Sequence, residues 1–543
     1  MTFMDELTRE SLDFDYILKK IKILTPYGKI YKDKIRPYLP GEEEKLREEL
    51  EKVEKFIGYT KEESFSQGIK NIFVHMKDLR TSVRRTMEGC VLTEVELFEI
   101  KSFLFLIKAL EILLDKHHIK LWGDMEIHRI KKLESLLDPE ETELSTFYIY
   151  DCYSENLKKI RENKKNVEKT LKLKKKEIKE KIKEELNFDV RPDGSIVISK
   201  ESKDILKHIE KNPYLTYVSE TYMNIKFSIK PTEEITSLER QLLLLKEREE
   251  KEEYEIREKL SNEISNQRKK IFRNMASIGK LDFVLAKAHL AIETSSIKPE
   301  ILDEHSIFIL EGRHPKVEEF LTDKGLKFTP ISVSLKEGVT CITGANMGGK
   351  TVSLRLVGLL CAMAQHGLFV PCEEMKLGLS NFISSSIGDM QSTDKGLSTF
   401  GAEIKLVQEA LEKADGKGII LIDELARGTN PEEGYAISKA IVSYLKDKNS
   451  TTLVTTHYDN IANLKGVVHL QVIGLSKIDF EKLQGEIQDK DIDKMDIINK
   501  YMDYRLVKVD DRKEVPRDAL NIARLMGLSE KIIKDAEKIL EEK

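Results

Sequence analysis

The octapeptide Gly344-Ala345-Asn346-Met347-Gly348-Gly349-Lys350-Thr351 fits the pattern G-x-x-x-x-G-K-[ST], between a β-branched run (VTCIT, 339–343) and a helical pattern (VSLRLVGLLCAMA). Glycines there permit backbone conformations and close approach that a Cβ would block. Successive backbone N–H groups can then face phosphates, helped by the positive end of the helix dipole. In this setting Lys350 is expected to reach the β- and γ-phosphates, and Thr351 to ligate Mg²⁺. Some seventy residues on, Ile419-Ile420-Leu421-Ile422 runs into Asp423-Glu424. Two carboxylates ending a buried strand need a purpose, since acids are seldom buried unpaired. Asp423 is expected to hold Mg²⁺ through water and Glu424 to polarise an attacking water. His457, in Thr455-Thr456-His457-Tyr458 after the next strand, would alone read as a satisfied histidine. Beside the other two elements it reads as a γ-phosphate sensor. The expected ligands are ATP and Mg²⁺, and the expected reaction is hydrolysis. A module that only holds ATP is the competing reading, and Glu424 argues against it.

These residues need a sheet to carry them. From about residue 300 glycine becomes frequent, and short runs (ISVSL 331–335, VTCIT 339–343, GIILID 418–423, TTLVTT 451–456) alternate with helical patterns. That predicts βαβ units and a largely parallel sheet over 301–516. Residues 1–135 show helical spacing, as in Leu97, Ile100, Phe103, Leu104, Ile107, Leu110 and Leu114. They are read as a helical core. Residues 136–300 are read as lever and clamp helices with a small strand element near 187–200. Within them Ile160, Val167, Leu171, Ile178 and Ile182 form an a/d seam along one long Lys-rich helix. Pro192-Asp193-Gly194 marks a turn before Ser195-Ile196-Val197-Ile198, and a second long helix is expected over roughly 232–294. Residues 517–543 return to helix, with Gly527 ending one helix and Ser529 capping the next. The fold class is therefore α followed by α/β.

Bulk properties narrow the class further. A chain of 543 residues accommodates three or four domains at roughly 100–200 residues each. Charged residues at 34% against aromatics at 7% favour long solvated helices. A net charge of −5 is not that of a dedicated nucleic-acid binder, although a local basic face would suffice for a clamp. The five cysteines show no CxxC pair, which reads as reduced thiols without metal ligation. The polar N-terminus and the lack of a long apolar run lead to the expectation of a soluble cytoplasmic protein.

Five motifs in order carry a resemblance. Glu311-Gly312-Arg313-His314-Pro315, GANMGGKT, Gly388-Asp389-Met390-Gln391 leading to Leu397-Ser398-Thr399-Phe400, Asp423-Glu424-Leu425-Ala426-Arg427-Gly428-Thr429, and the TTH element resemble the ATPase domain of the MutS family. More weakly, Leu281-Asp282 and Ala286-Lys287-Ala288 resemble the lever returning to the ATPase. Residues 519–540 resemble the family's C-terminal helix-turn-helix, which reinforces the dimer. The resemblance implies an ABC-type ATPase with composite sites in a homodimer. Ser398 and Thr399 of one subunit would face the γ-phosphate held by the other. ATP would close the dimer, hydrolysis would open it, and the movement would drive a clamp on DNA.

The sequence also departs from the family pattern. No early F-x-E motif is present, so phenylalanine-wedge mismatch reading is not expected. Leu425, Asn430-Pro431-Glu432-Glu433-Gly434 and TTHY look closer to the second bacterial MutS branch, which acts on branched DNA, recombination intermediates or stalled ribosomes. That branch's C-terminal nuclease module is absent before Lys543, so no nuclease activity is expected. An alternative client is a protein, since short MutS-like ATPases also resemble reactivating factors for cobalamin-dependent amino-acid aminomutases. The Lys-rich stretch from Lys172 to Lys183 is the expected DNA contact, with a solvated coiled-coil face as the plainer reading.

Overall fold

The computed structural model describes the whole chain except residues 1, 143–145, 192, 345–348, 389–398, 427–428, 475–501, 510–519, 521–522, 525 and 542–543. Two compact units are formed, residues 1–74 together with 278–543, and residues 75–277. The first unit opens with α1 (Glu6–Ser11), α2 (Phe14–Lys20), α3 (Pro26–Asp33), α4 (Glu43–Thr60) and α5 (Glu63–Phe73). The second holds α6 (Arg80–Met87), α7 (Glu94–Lys116), α8 (Lys131–Leu137), α9 (Glu155–Leu186), β1 (Ser195–Ser199), α10 (Lys203–Glu210), β2 (Leu215–Glu220), β3 (Asn224–Ile229) and α11 (Glu233–Asn266). Helix α12 (Arg268–Glu293) crosses the boundary between them. None of the described helices is long and apolar enough to cross a membrane.

The first unit then continues through β4 (Glu300–Leu302), β5 (Ile307–Gly312), α13 (Pro315–Asp323), β6 (Ile331–Leu335), β7 (Gly338–Thr343), α14 (Lys350–Gln365), β8 (Glu374–Gly378) and β9 (Phe382–Ser386). After these come α15 (Thr399–Leu411), β10 (Gly418–Ile422), α16 (Pro431–Leu445), β11 (Thr451–Thr455), α17 (Asp459–Ala462), β12 (Val468–Gly474), β13 (Asp503–Lys508) and α18 (Glu530–Glu541). The architecture is mixed α and β. Among the described residues the larger sheet runs β13-β12-β7-β11-β10-β9, parallel except where β13 pairs with β12. All four runs singled out in the sequence are strands. The smaller sheet, β4-β8-β5-β6, is mostly antiparallel. β7, β10 and β11 are buried along their whole length, which is why they read as continuous apolar runs.

An edge strand exposes unpaired backbone groups, and here the N-terminus covers one. Along β9, Ile383 N–H donates to Phe3 O (2.8 Å) and Ser385 N–H to Thr8 Oγ1 (3.1 Å). Helix α12 is fixed to the early helices by buried polar contacts. The Asp282 carboxylate accepts from Thr25 N (2.7 Å) and Thr25 Oγ1 (2.7 Å) at the start of α3. Glu49 on α4 binds Lys280 (2.6 Å) and Lys287 (2.7 Å).

In the second unit, α9 buries Ile160, Val167, Leu171, Ile178 and Ile182, the seam read from the sequence. Its partner is α11, with Leu245 packed against Ile160 and Val167. Ion pairs follow the antiparallel register, Arg161 with Glu249 and Glu253, and Lys175 with Glu239. Two expectations need correction. The single helix over 232–294 is divided at Gln267, whose N–H reaches back to both Glu263 and Ile264 carbonyls. Ser265 and Asn266 are weak helix formers, and beyond them the chain passes from a solvated to an almost wholly buried course. The small strand element is larger than read, a three-stranded antiparallel sheet β1-β3-β2 with α10. β2 is exposed after Leu215 and carries no clean apolar alternation, so its sequence hid it. Pro192 of the expected turn lies outside the described residues, while Gly194 takes φ +77° and Asp193 caps Ser195 N–H at 3.0 Å.

Candidate nucleotide site

The C-terminal ends of β7, β10 and β11 lie side by side in register, with Ile422 opposite Val454 and Thr455 opposite Ile342. In open parallel sheets this is where ligands bind. β7 ends at Thr343, and Gly344 follows with φ +130°. Ala345, Asn346, Met347 and Gly348 lie outside the described residues. Gly349, at φ +75°, hands over to α14, whose first residues are Lys350 and Thr351. A Cβ on Gly349 would meet the Tyr504 ring of β13 at 2.9 Å.

Lys350 is nearly fully buried and donates to Gly344 O at 2.7 Å, with Glu424 Oε1 at 3.7 Å. Thr351 Oγ1 donates to Asp423 Oδ2 at 2.8 Å. Thr455 Oγ1 donates to the other carboxylate oxygen of Asp423 at 2.6 Å and accepts from Glu424 N at 2.9 Å. His457 Nε2 lies 2.7 Å from Glu424 Oε1, and its side chain is 42% exposed against 6% for Glu424. The cluster therefore has a buried carboxylate held between a cation and an imidazole, with the imidazole partly open to solvent.

Lys350, Thr351, Asp423, Glu424 and His457, singled out in the sequence, thus meet in one place. Ser398 lies outside the described residues, as do Arg427 and Gly428. Thr399 is placed only as the first residue of α15. Thr455 was missed, because a threonine inside TTLVTT reads as an ordinary strand former; its place two residues before His457 was the available signal. Arg313 has local partners, Glu318 and the carbonyls of Thr294 and Ser295, while His314 is wholly buried. The buried His314 ring is held down to about 4 by loss of hydration.

A hard dication fits part of this arrangement. Among the described residues no three His, Cys, Asp or Glu side chains converge as a metal cage. The Thr351 hydroxyl and Asp423 carboxylate, already in contact, are instead the sparse oxygen set that Mg²⁺ takes when phosphate and water complete its shell.

Comparison with known proteins bears on the same region. Residues 340–542 match the family model of MutS domain V. The chain is 29% identical to the endonuclease MutS2 of Caldanaerobacter subterraneus subsp. tengcongensis over 99% of its own length and 64% of that protein. Over residues 340–542 it is similar to the MutS family. A second relative, the DNA mismatch repair protein MutS of Aquifex pyrophilus, is 28% identical over 92% of the chain and 56% of the relative. Over a shorter stretch of 220 residues, 40% of the chain and 27% of the relative, identity to the endonuclease MutS2 of Acetivibrio thermocellus rises to 39%. The chain thus spans less than two thirds of the length of these MutS and MutS2 relatives.

Proposed function

We propose that the chain is a Mg²⁺-dependent P-loop ATPase that works as a homodimer and couples ATP binding and hydrolysis to movement on DNA. The observation that carries the reading is the convergence of Lys350, Thr351, Asp423, Glu424 and His457 at the ends of three parallel strands. Lys350, now bound to a loop carbonyl, would exchange that oxygen for those of the β- and γ-phosphates. Thr455 keeps Asp423 oriented toward Thr351 and fixes the backbone of Glu424. Glu424 would take up the attacking water, and His457, at hydrogen-bond distance from it, would aim the carboxylate and meet the γ-phosphate. Mg²⁺ held by Thr351 and Asp423 would neutralise charge on the phosphate oxygens. Ser398 and Thr399 of the partner subunit would complete the site, and α18 would reinforce the dimer. The cell compartment that goes with this reading is the cytoplasm.

DNA is the client favoured by the relatives, an endonuclease and a mismatch repair protein. The charges of the two long helices bear on where DNA would bind. Helix α9 carries 13 Lys and Arg against 7 Glu, but α11 carries 11 Glu against 6 Lys and Arg. Lys174 and Lys175 turn to Glu234 and Glu239 of α11, and Lys183 to Asp189. Lys174 and Lys175 thus take part in helix pairing, and branched or damaged DNA would be met by a correspondingly smaller basic face. The test is the ATPase rate with duplex, branched and single-stranded DNA across a salt series. Salt-sensitive stimulation by one form is expected. Turnover indifferent to every form would overturn DNA as client and turn attention to a protein client such as a cobalamin-dependent aminomutase.

A further inference from the structure

The turn that presents Glu424 is held in a backbone conformation that its residues disfavour. Glu424 has φ +48° and Ala426 φ +63°, both in the left-handed region and neither a glycine. Such residues persist only where the surroundings over-determine them. Four contacts do so here. Asp423 N–H donates to Ser386 O (2.9 Å), and Glu424 N–H to Thr455 Oγ1 (2.9 Å). Leu425 O accepts from Ser438 Oγ (3.2 Å), and Ala426 N–H donates to Glu403 Oε1 (2.8 Å). The first three come from β9, β11 and α16, which belong to the sheet or lie directly after the turn. The fourth comes from α15, the helix that begins at the Leu397-Ser398-Thr399-Phe400 stretch. Val407 and Ala410 of the same helix pack in one apolar cluster with Leu425 and Ala426, so α15 and the turn are joined by packing as well.

We propose that Glu403 is a positioning residue for hydrolysis, its carboxylate tying the helix that begins at Thr399 to the strained turn that aims Glu424. This rests on the ATPase reading and deepens it. Glu403 acts by holding Ala426 N–H, two residues beyond Glu424. With that acceptor gone, the turn can relax toward ordinary φ values, and Glu424 leaves the orientation set by His457 and Lys350. Binding should hardly change, because Lys350 and Thr351 stand on α14.

The experiment compares Glu403→Ala and Glu403→Gln with wild type in single-turnover hydrolysis, ATP binding and hydrogen exchange across residues 423–430. Loss of one half-buried hydrogen bond that orients Glu424 is expected to lower kcat about 10- to 100-fold in Glu403→Ala, with ATP Kd within about 3-fold. Glu403→Gln keeps an oxygen acceptor and is expected to recover most of the rate. In the absence of nucleotide, amide exchange in the 423–430 peptide should quicken in Glu403→Ala and stay near wild type in Glu403→Gln. Unchanged exchange in Glu403→Ala would overturn the tether, whatever the turnover. Quickened exchange with wild-type kcat would overturn the positioning role, and so would a parallel loss of kcat, affinity and melting temperature. Wild type that hydrolyses no ATP would sink the ATPase reading itself, with the exchange data still deciding the tether.

Discussion

Lys350 and Glu424 already satisfy each other in part, the ammonium 3.7 Å from the carboxylate and both nearly sealed from solvent. That pairing makes their two substitutions distinguishable. Lys350→Ala removes charge-assisted contacts to phosphate and takes a cation from beside a buried carboxylate, so ATP affinity should fall roughly 10- to 100-fold. Unchanged affinity by equilibrium titration would disprove the placement of Lys350. Glu424→Gln keeps the side chain's shape and removes the base. Turnover should drop about 100-fold or more while ATP binding survives and the closed dimer accumulates. Normal steady-state turnover would remove Glu424 from the mechanism. The sequence made these residues legible because each belongs to a spacing with a chemical reason. Thr455 and Glu403 were not, since a threonine in a β-branched run and a glutamate on a helix are ordinary, and only the folded chain shows them gripping Asp423 and Ala426.

Elements were legible where burial writes a period into the sequence. The seam of α9 and the three fully buried strands follow that rule, and Gly527 does too, for it takes φ +97° as Leu528 N–H reaches back to Ala523 O. β2, solvent-facing after its first residue, writes no such signal. Close helix contacts are also invisible until two segments distant in sequence meet. Gly279 on α12 lies against α3 so tightly that a Cβ would fall 2.7 Å from Tyr27 O, a backbone atom with little room to yield. Gly279→Ala is therefore expected to destabilise by about 1–3 kcal/mol. Gly58, on α4 with open space around it, supplies the contrast. There the same change should stabilise by about 0.5–1 kcal/mol through helix propensity. Denaturant melts of the two variants, compared with wild type, should move in opposite directions. Equal and opposite-to-expected shifts would mean that α3 and α12 are not this close in solution.

For the whole molecule, a net charge of −5 makes protonation a global variable, and the buried histidines of the first unit set its sign. Burial lowers His305, His314 and His366, the latter two to about 4, and partial desolvation lowers the more exposed His289. His366 also faces the charges of Lys287 and Arg9 and packs between Phe3 and Phe14. His314 has Asp13 3.7 Å away but no hydrogen bond on either ring nitrogen. A depressed folded-state value means that the unfolded chain binds the proton first. Stability is then full above about 6.5 and falls as pH drops through the window from 6.5 to 4. Glu49, held at about 2 by Lys287 and Lys280 against its burial, adds a further loss below 4.5. Asp282, raised by burial, works in the opposite direction and softens that second step. The melting temperature should accordingly be level above about pH 7 and decline steadily below it. His314→Leu isolates one contribution, because leucine gives up no hydrogen bond there. It should match or exceed wild type at pH 7 and be more stable at pH 4 by roughly 1–3 kcal/mol, the size a displaced histidine pKa of this kind implies. A His314→Leu profile parallel to wild type from pH 7 to 4 would mean that the ring takes up its proton without leaving its pocket, and that the acid sensitivity belongs to His366 and Glu49.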